Sequence, residues 1–468
     1  MKYVSGGELL VDCLREHGVR HIFSIIGGQM GTIYDTVGRR PDIDIIVPRN
    51  ETSAPLMAAG YIATTGKPAV SMATVGAGVV YEVGGLTHAW LNYLPVISIA
   101  PQVQSWKMKP HQESLQSCNQ DEIFQPITRW NAIVYHFERI PQLINRAFRE
   151  ACTGVPGPVH LDIPVDVLFR RKLIGRRKRK EKLAHPLPAP VLPGESAALA
   201  AAADRLAASD RGLVLLGQGI GRRGRFPGIA QPLNRLGMPV LTTRFSAGVV
   251  SRRHPVGAGQ TLLYTGTEEG LALIDKADAI LIIGADSEIM EILERCPGND
   301  RTVLQVELEA KAFLAETDLP LLADPFSALE ELLNLTPGLA DKTKPWRELF
   351  IKSGDAASKL EQNPFAIALQ QLSAEDLIII ADGSTATRYT ASLFRDRPFR
   401  DLFLLDERDA LGAGLPFAMG AALANPAGRV TLVCNQSALF ANIRELSPAK
   451  GLGLNLQIIV LDDGDTAA

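Results

Sequence analysis

Helix-like stretches alternate with short apolar runs from the start of the chain. GELLVDCLREHG is followed by HIFSIIGG, IDIIVP, the small-residue helix SAPLMAAGYIATTG, then AVSMATVG, PVISIAP and GPVHLDIP. Such alternation predicts a parallel sheet wrapped by helices over residues 1–170. The pattern breaks over 171–195, where nine Lys or Arg fall between Arg170 and Lys182 and four prolines follow from Pro186 to Pro193. This segment reads as a basic, proline-extended linker. A second unit over 196–335 takes its strands from GLVLLGQGI, MPVLTT, ADAILIIGAD and TVLQVELE. A third over 345–468 takes them from DLIIIADGS, LFLLDE, RVTLVCNQS and LQIIVLDDG, with a glycine-entered helix in ALGAGLPFAMGAALANP. The expectation is an α/β chain of three doubly wound parallel-sheet domains, the middle one Rossmann-like. The first and third match in element order, which suggests duplication.

Composition narrows the class. At 468 residues the chain is too long for a single core, and 46% hydrophobic residues can fill several. A net charge of -3 gives no global basic field for nucleic acid, so the basic run reads as a solvated linker rather than an RNA or anion patch. No apolar stretch of about 18 residues is present to span a bilayer. The five cysteines stand singly, with no spacing for a zinc site or disulfide framework, and the first residues lack the pattern of a signal peptide. A soluble protein of a reducing cytosol is expected.

In open parallel sheets, ligands bind beyond the carboxyl ends of the strands, where loops and helix N-termini present free N–H groups. Four such places stand out: Gly27-Gly28-Gln29-Met30-Gly31, Arg49-Asn50-Glu51-Thr52, Gly76-Ala77-Gly78 and Cys434-Asn435-Gln436-Ser437. Glu51 is the most informative single residue. A lone carboxylate between an apolar strand and a small-residue helix faces desolvation, which suits it to proton transfer near neutrality. The plainer reading is a solvated loop or a helix cap.

The stretch from RNETSAPLMAAGYIATTG through PVISIAPQV resembles the pyrimidine-binding domain of the acetolactate synthase family of thiamine-diphosphate enzymes. IFQPITRWNAIVYH and GVPGPVHLDIPVDV continue the likeness, as do LGQGIGRRG, GMPVLTT and ADAILIIGAD in the middle unit and GAGLPFAMGAALANP in the third. The resemblance implies pyrimidine-binding, central and diphosphate-binding domains. It also implies a small 2-oxo-acid substrate such as pyruvate, decarboxylated with carboligation or a related lyase step. The cofactor would sit at the interface of a homodimer, or of a tetramer built from such dimers. Glu51 would exchange a proton with the pyrimidine ring, with Gln116 beside it in the catalytic group. Gly27, Gly28, Gly76, Gly78, Ser384, Thr385, Leu411, Gly412, Gln436 and Ser437 would hold thiamine diphosphate. Leu411 falls where the family places the large apolar residue that props the cofactor, its plain alternative being a core leucine. Mg²⁺ would fall to Asn435, Asp463 and Asp465. FAD, which some relatives carry on the middle domain, would rest near Gly217-Gln218-Gly219, Thr243 and Arg244, with Glu307 and Glu309 where aspartates are usual.

The sequence departs from that family at several points. Its Gly-Asp-Gly is Cys434-Asn435-Gln436, and its Asn-Asn is Asp462-Asp463, so that one carboxylate and one amide oxygen are exchanged at the family's spacing. Val75, Ala77 and Tyr81 replace the usual Ser, Pro and Asn. Leu115-Gln116-Ser117-Cys118-Asn119 keeps only the glutamine of its element, and Asn50 stands for a histidine. The family continues past DDGDTAA with a segment over the active site, which another chain would supply, a longer gene would encode, or this protein would lack. Two other readings therefore stay open: a relative that keeps the fold and dimer without the metal, and an enzyme using the same cleft without thiamine.

Overall fold

The computed structural model describes residues 2–109, 114–174, 194–220, 228–250, 254–261, 267–298, 300–357, 377–393, 401–405 and 410–462. Two compact units divide the chain. The first comprises Met1–Ala189, Glu407–Ala427 and Ala438–Leu456, and the second Pro190–Asp406, Gly428–Ser437 and Gln457–Ala468.

The first unit carries strands β1 (Lys2–Ser5), β2 (His21–Ser24), β3 (Asp44–Ile46), β4 (Ala69–Met72), β5 (Val96–Gln102), β6 (Trp130–Ile133), β7 (Val159–Pro164) and β8 (Arg171–Ile174). Six of them form a parallel sheet in the order β3-β2-β4-β5-β7-β6. The central strands β4, β5 and β7 are buried along their whole length, as apolar runs covered on both faces must be. β1 and β8 form an antiparallel ribbon, so Arg171–Ile174, read from the sequence as the start of the linker, is paired strand. Linker positions 175–193 lie outside the described residues.

Helix α1 (Gly6–Glu16) starts at Ser5, whose Oγ accepts the N–H of Glu8 at 3.0 Å, and buries Leu9, Leu10, Cys13 and Leu14. Helix α2 (Gly31–Val37) follows β2. Helix α3 (Ser53–Thr65) is buried nearly all round and stops at Gly66, in the left-handed conformation with φ 71°. Its partner is the helix Gly414–Ala424. A Cβ at Gly60 would overlap the carbonyl of Phe417, and one at Gly420 the carbonyl of Met57. The small residues of both segments thus let two backbones touch, which fixes the helix that follows Glu51.

The second unit holds β9 (Gly212–Leu216), β10 (Val240–Thr242), β11 (Gly257–Gln260), β12 (Ala279–Ile283), β13 (Thr302–Glu307) and β14 (Leu319–Leu322), parallel in the order β11-β10-β9-β12-β13-β14. That is the Rossmann order, reversing between β9 and β12. The same unit holds β15 (Leu377–Asp382), β16 (Asp401–Leu405), β17 (Arg429–Asn435) and β18 (Leu456–Leu461) in the order β16-β15-β17-β18. The protein is therefore α/β with three sheets built on parallel strands. The first four strands of the first sheet and the four of the third share one order, second-first-third-fourth. Among the described residues no helix is long and apolar enough to cross a membrane.

Candidate functional site

Three loops leave the carboxyl ends of β2, β3 and β4 and meet. Gly27-Gly28 follows β2, and Gln29 accepts from Thr74 Oγ1 at 2.8 Å and donates to Gln116 Oε1 at 3.0 Å. A Cβ at Gly27 would overlap Thr74, whereas one at Gly28 would meet open space. Gly76 has φ 78° and packs against the backbone of Gln116, itself left-handed with φ 65°. Its N–H is taken by Gln120 Oε1 at 3.1 Å. Gly27, Gly28, Gly76 and Gln116 are thus one cluster.

Glu51 enters from the third loop. Asn50 Oδ1 accepts the N–H of Thr52 at 2.8 Å, and Thr52 Oγ1 donates to the carbonyl of Tyr81 at 2.6 Å. Asn50, which stands for the expected histidine, therefore works as a turn-closing acceptor. Glu445 is fully buried and takes the N–H of Arg49 with both carboxylate oxygens, at 3.0 and 3.1 Å, and burial holds its carboxyl above the ordinary range. With the loop fastened on both sides, the half-buried Glu51 points back over helix α4 (Ala77–Tyr81), where a Cβ at Gly78 would lie 3.5 Å from Glu51 Oε1. Its neighbour Glu82 lies between α4 and α5 (Val83–Leu91). Glu82 is wholly buried, and that burial pushes its carboxyl up to about 8, with Glu51 adding to the rise.

Leu411 and Gly412 lie in the same unit, at the turn before the helix Gly414–Ala424. Gly412 has φ 74°, and its carbonyl takes Asn442 Nδ2 at 2.8 Å. Leu411 is 52% exposed, so it is no core leucine.

In the second unit, Ser384 and Thr385 open the helix that follows β15, and Asn435 ends β17, with Gln436 and Ser437 exposed after it. Asn435 is buried, and its Oδ1 has no hydrogen-bond partner. It lies where a Cβ of Gly383 would be, at φ 98°, beside Asp382 on the neighbouring strand. An orphaned amide oxygen at a strand end suits a hard cation, and Asp382 is a carboxylate the sequence reading missed. Cys434 faces Asp382 across the pair of strands, and burial pushes its thiol up to about 12. Asp463 and Asp465 lie outside the described residues, and among the described residues no three His, Cys, Asp or Glu side chains gather as a metal site.

At the switch point of the middle sheet, Gly217 and Gly219 pack directly on Gly284. Buried Asp286 takes Thr243 Oγ1 at 2.7 Å and the N–H of Gln218 at 2.9 Å. Glu288 takes the N–H of Arg244 at 3.0 Å, and burial with Asp286 beside it pushes its carboxyl up to about 7. Glu307 accepts from Ala285 N at 2.6 Å and Gln305 Nε2 at 2.9 Å. The acids of this cleft are thus bonded to the protein's own backbone and side chains. Glu309 pairs with Lys311 at 3.0 Å.

The geometry agrees with what is found among known proteins. The chain is 28% identical to the acetolactate synthase isozyme 1 large subunit of Escherichia coli (strain K12) over 474 residues, covering 99% of this chain and 82% of that one. It is 27% identical to the acetolactate synthase of Bacillus subtilis (strain 168) over 474 residues, covering 98% and 81%. Three family descriptions match in succession: the thiamine pyrophosphate enzyme N-terminal TPP binding domain over 4–123, its central domain over 199–332 and its C-terminal TPP binding domain over 382–468. With three sheets in those three stretches and ligand-ready loops at the strand ends, the chain belongs to the thiamine pyrophosphate enzyme family.

Proposed function

We propose that the protein is a thiamine-diphosphate-dependent enzyme acting on a small 2-oxo acid such as pyruvate, by decarboxylation with carboligation in the manner of acetolactate synthase. The observation that carries this reading is Glu51 Oε1 held over Gly78, at the meeting of three strand-end loops. Bound thiamine diphosphate supplies the electron sink for breaking the bond to the substrate carboxylate. Glu51 moves a proton at its Oε1, and the loop locked by Glu445 and Thr52 keeps that oxygen in place. Gly28 leaves room for an aromatic ring to approach the backbone, Gly27, Gly76 and Gly78 let Thr74 and Gln116 pack closely around that space, and Gln116 borders it. Ser384, Thr385, Gln436 and Ser437 offer N–H and hydroxyl donors to phosphate oxygens. Asn435 Oδ1 offers one oxygen to Mg²⁺, with Asp463 and Asp465 as further candidates. The working unit is a homodimer, with Glu51 of one subunit and the diphosphate-binding strand ends of another serving one cofactor. FAD is a passenger this reading leaves open.

A second reading has a specific observation behind it. Asn435 fills the space above Gly383, where the family has an aspartate between glycines, which favours a relative that has lost the metal.

The test is turnover of pyruvate in the presence of thiamine diphosphate and Mg²⁺. The reading expects carbon dioxide release that Glu51→Gln lowers by about 10²-fold or more, since Gln cannot shuttle a proton. Turnover by Glu51→Gln within about tenfold of wild type, below the roughly 10²-fold an acid–base role is worth, would remove Glu51 from the chemistry. No turnover of any 2-oxo acid by wild type would favour the second reading.

A further inference from the structure

Glu82 lies four residues after the Gly78 that sits under Glu51 Oε1, so the two positions share a helix face one turn apart. Its Oε1 is buried and falls outside ordinary hydrogen-bond geometry, while Ser71 Oγ lies close enough to the carboxyl to favour its ionised form. Its Oε2 is 2.8 Å from Ser98 Oγ. Ser98 Oγ is 2.9 Å from His160 Nδ1, and His160 Nε2 is 3.2 Å from Asp162 Oδ1. Gln120 donates to that same Asp162 oxygen and accepts the N–H of Gly76, so the chain ends at the glycine turn of the site. Phe124 stacks on the His160 ring with centroids 4.0 Å apart. Glu82, Ser98, His160, Asp162 and Gln120 are all buried.

Ser98 has one proton to give and two acceptors beside it, so either Glu82 or His160 must donate to it. In one arrangement Glu82 carries a proton and donates to Ser98, Ser98 donates to His160 Nδ1, and His160 Nε2–H donates to Asp162. In the other, His160 Nδ1–H donates to Ser98, and Ser98 donates to the Glu82 carboxylate. The two differ by one proton passing from Glu82 Oε2 to Ser98 and from Ser98 to His160, with total charge unchanged. Burial favours the first, since the loss of water around a charged carboxylate outweighs the opposing pull of Ser98 and Ser71, and the charge of Glu51 adds to it. The other titratable groups facing Glu82 are Glu51 from the loop before α3 and Tyr34 from α2.

We propose that Glu82 is a positioning acid for Glu51, a buried carboxyl that keeps one proton behind it and trades that proton through Ser98 with His160. A neutral Glu82 gives Glu51 an uncharged neighbour, and an ionised one puts two carboxylates in one pocket. The use of the proton rests on the proposed role of Glu51. Its location does not.

Infrared difference spectra of the ligand-free protein against pH locate the proton. The expected result is a protonated-carboxyl band at pH 7 that titrates away near 8. It should be absent in Glu82→Gln and present in Glu51→Gln. No band at pH 7, or a band that survives Glu82→Gln, overturns the proposal. If Glu82→Gln does not fold, Ser98→Ala serves, because it removes a donor to the ionised form and should move the midpoint upward. An unmoved midpoint also overturns it. A second readout separates positioning from mere structure: calorimetric affinity for thiamine diphosphate with Mg²⁺ should fall roughly tenfold, one pKa unit's worth, from pH 7 to 9 in wild type and stay level in Glu82→Gln. Equal slopes overturn the link to Glu51. If no variant binds thiamine diphosphate, the functional reading fails while the infrared result still decides where the proton sits.

Discussion

Glu445 grips the backbone N–H of Arg49 with both carboxylate oxygens, at 3.0 and 3.1 Å, two residues before Glu51. A side chain far along the sequence thus sets where the β3 loop turns. Glu445→Ala leaves that N–H without its acceptor and should cost about 1–3 kcal/mol. Glu445→Gln keeps one acceptor oxygen and should cost less. Urea unfolding of the three proteins checks the order.

The contact of α3 with the helix Gly414–Ala424 tolerates no side chain at its crossing. A methyl at Gly60 or Gly420 would overlap a facing carbonyl. Gly60→Ala and Gly420→Ala should each lose about 1–3 kcal/mol or more, by forcing the helices apart. Gly28→Ala meets open space and should change stability by no more than about 0.5 kcal/mol. Melting temperatures of the three variants compare these cases directly.

Glu82 ties stability to pH. Burial pushes its folded carboxyl up to about 8 from the ordinary 4.5. Below the lower value both folded and unfolded chains hold the proton, and nothing is lost. Between the two values the folded chain keeps a proton that the unfolded chain releases, so stability falls as pH rises, and the loss is complete above about 8. It amounts to roughly 5 kcal/mol at most. Glu82→Gln should flatten this slope in melts from pH 5 to 9. An unchanged slope would place the titration on another group.

The strand-end loops were legible because apolar runs closing on glycine mark where a parallel sheet binds ligands. Gly27, Gly76 and Glu51 could therefore be named from the sequence, and the structure groups them. Three of the edge strands were not legible. Trp130–Ile133 and Leu319–Leu322 are only partly buried, and Gly257–Gln260 has hardly any side chain to form a pattern. Glu82 was hidden for another reason. One carboxylate in a helix reads as solvated, and its burial depends on Ser71, Ser98 and His160 from three other strands. Asp382 carries no signal of its own at the end of DLIIIADGS, and only the pairing of β15 with β17 sets it beside Asn435.

Asn435 decides between the two functional readings. Its orphaned Oδ1 lies over Gly383, next to Asp382. Asn435→Asp brings a second carboxylate there, which should destabilise the metal-free protein and raise its response to Mg²⁺. The measurement is the rise in melting temperature on adding Mg²⁺ with thiamine diphosphate, expected to be larger in Asn435→Asp than in wild type. A rise in Asn435→Asp with none in wild type would mark the natural site as lapsed.

The most direct measurement is a native mass spectrum of the purified protein with its bound small molecules. The account predicts a dimer or tetramer carrying thiamine diphosphate and Mg²⁺, one set per chain, with Glu51→Gln still assembled. A protein that stays empty after incubation with thiamine diphosphate and Mg²⁺, or that carries only a flavin, would contradict it.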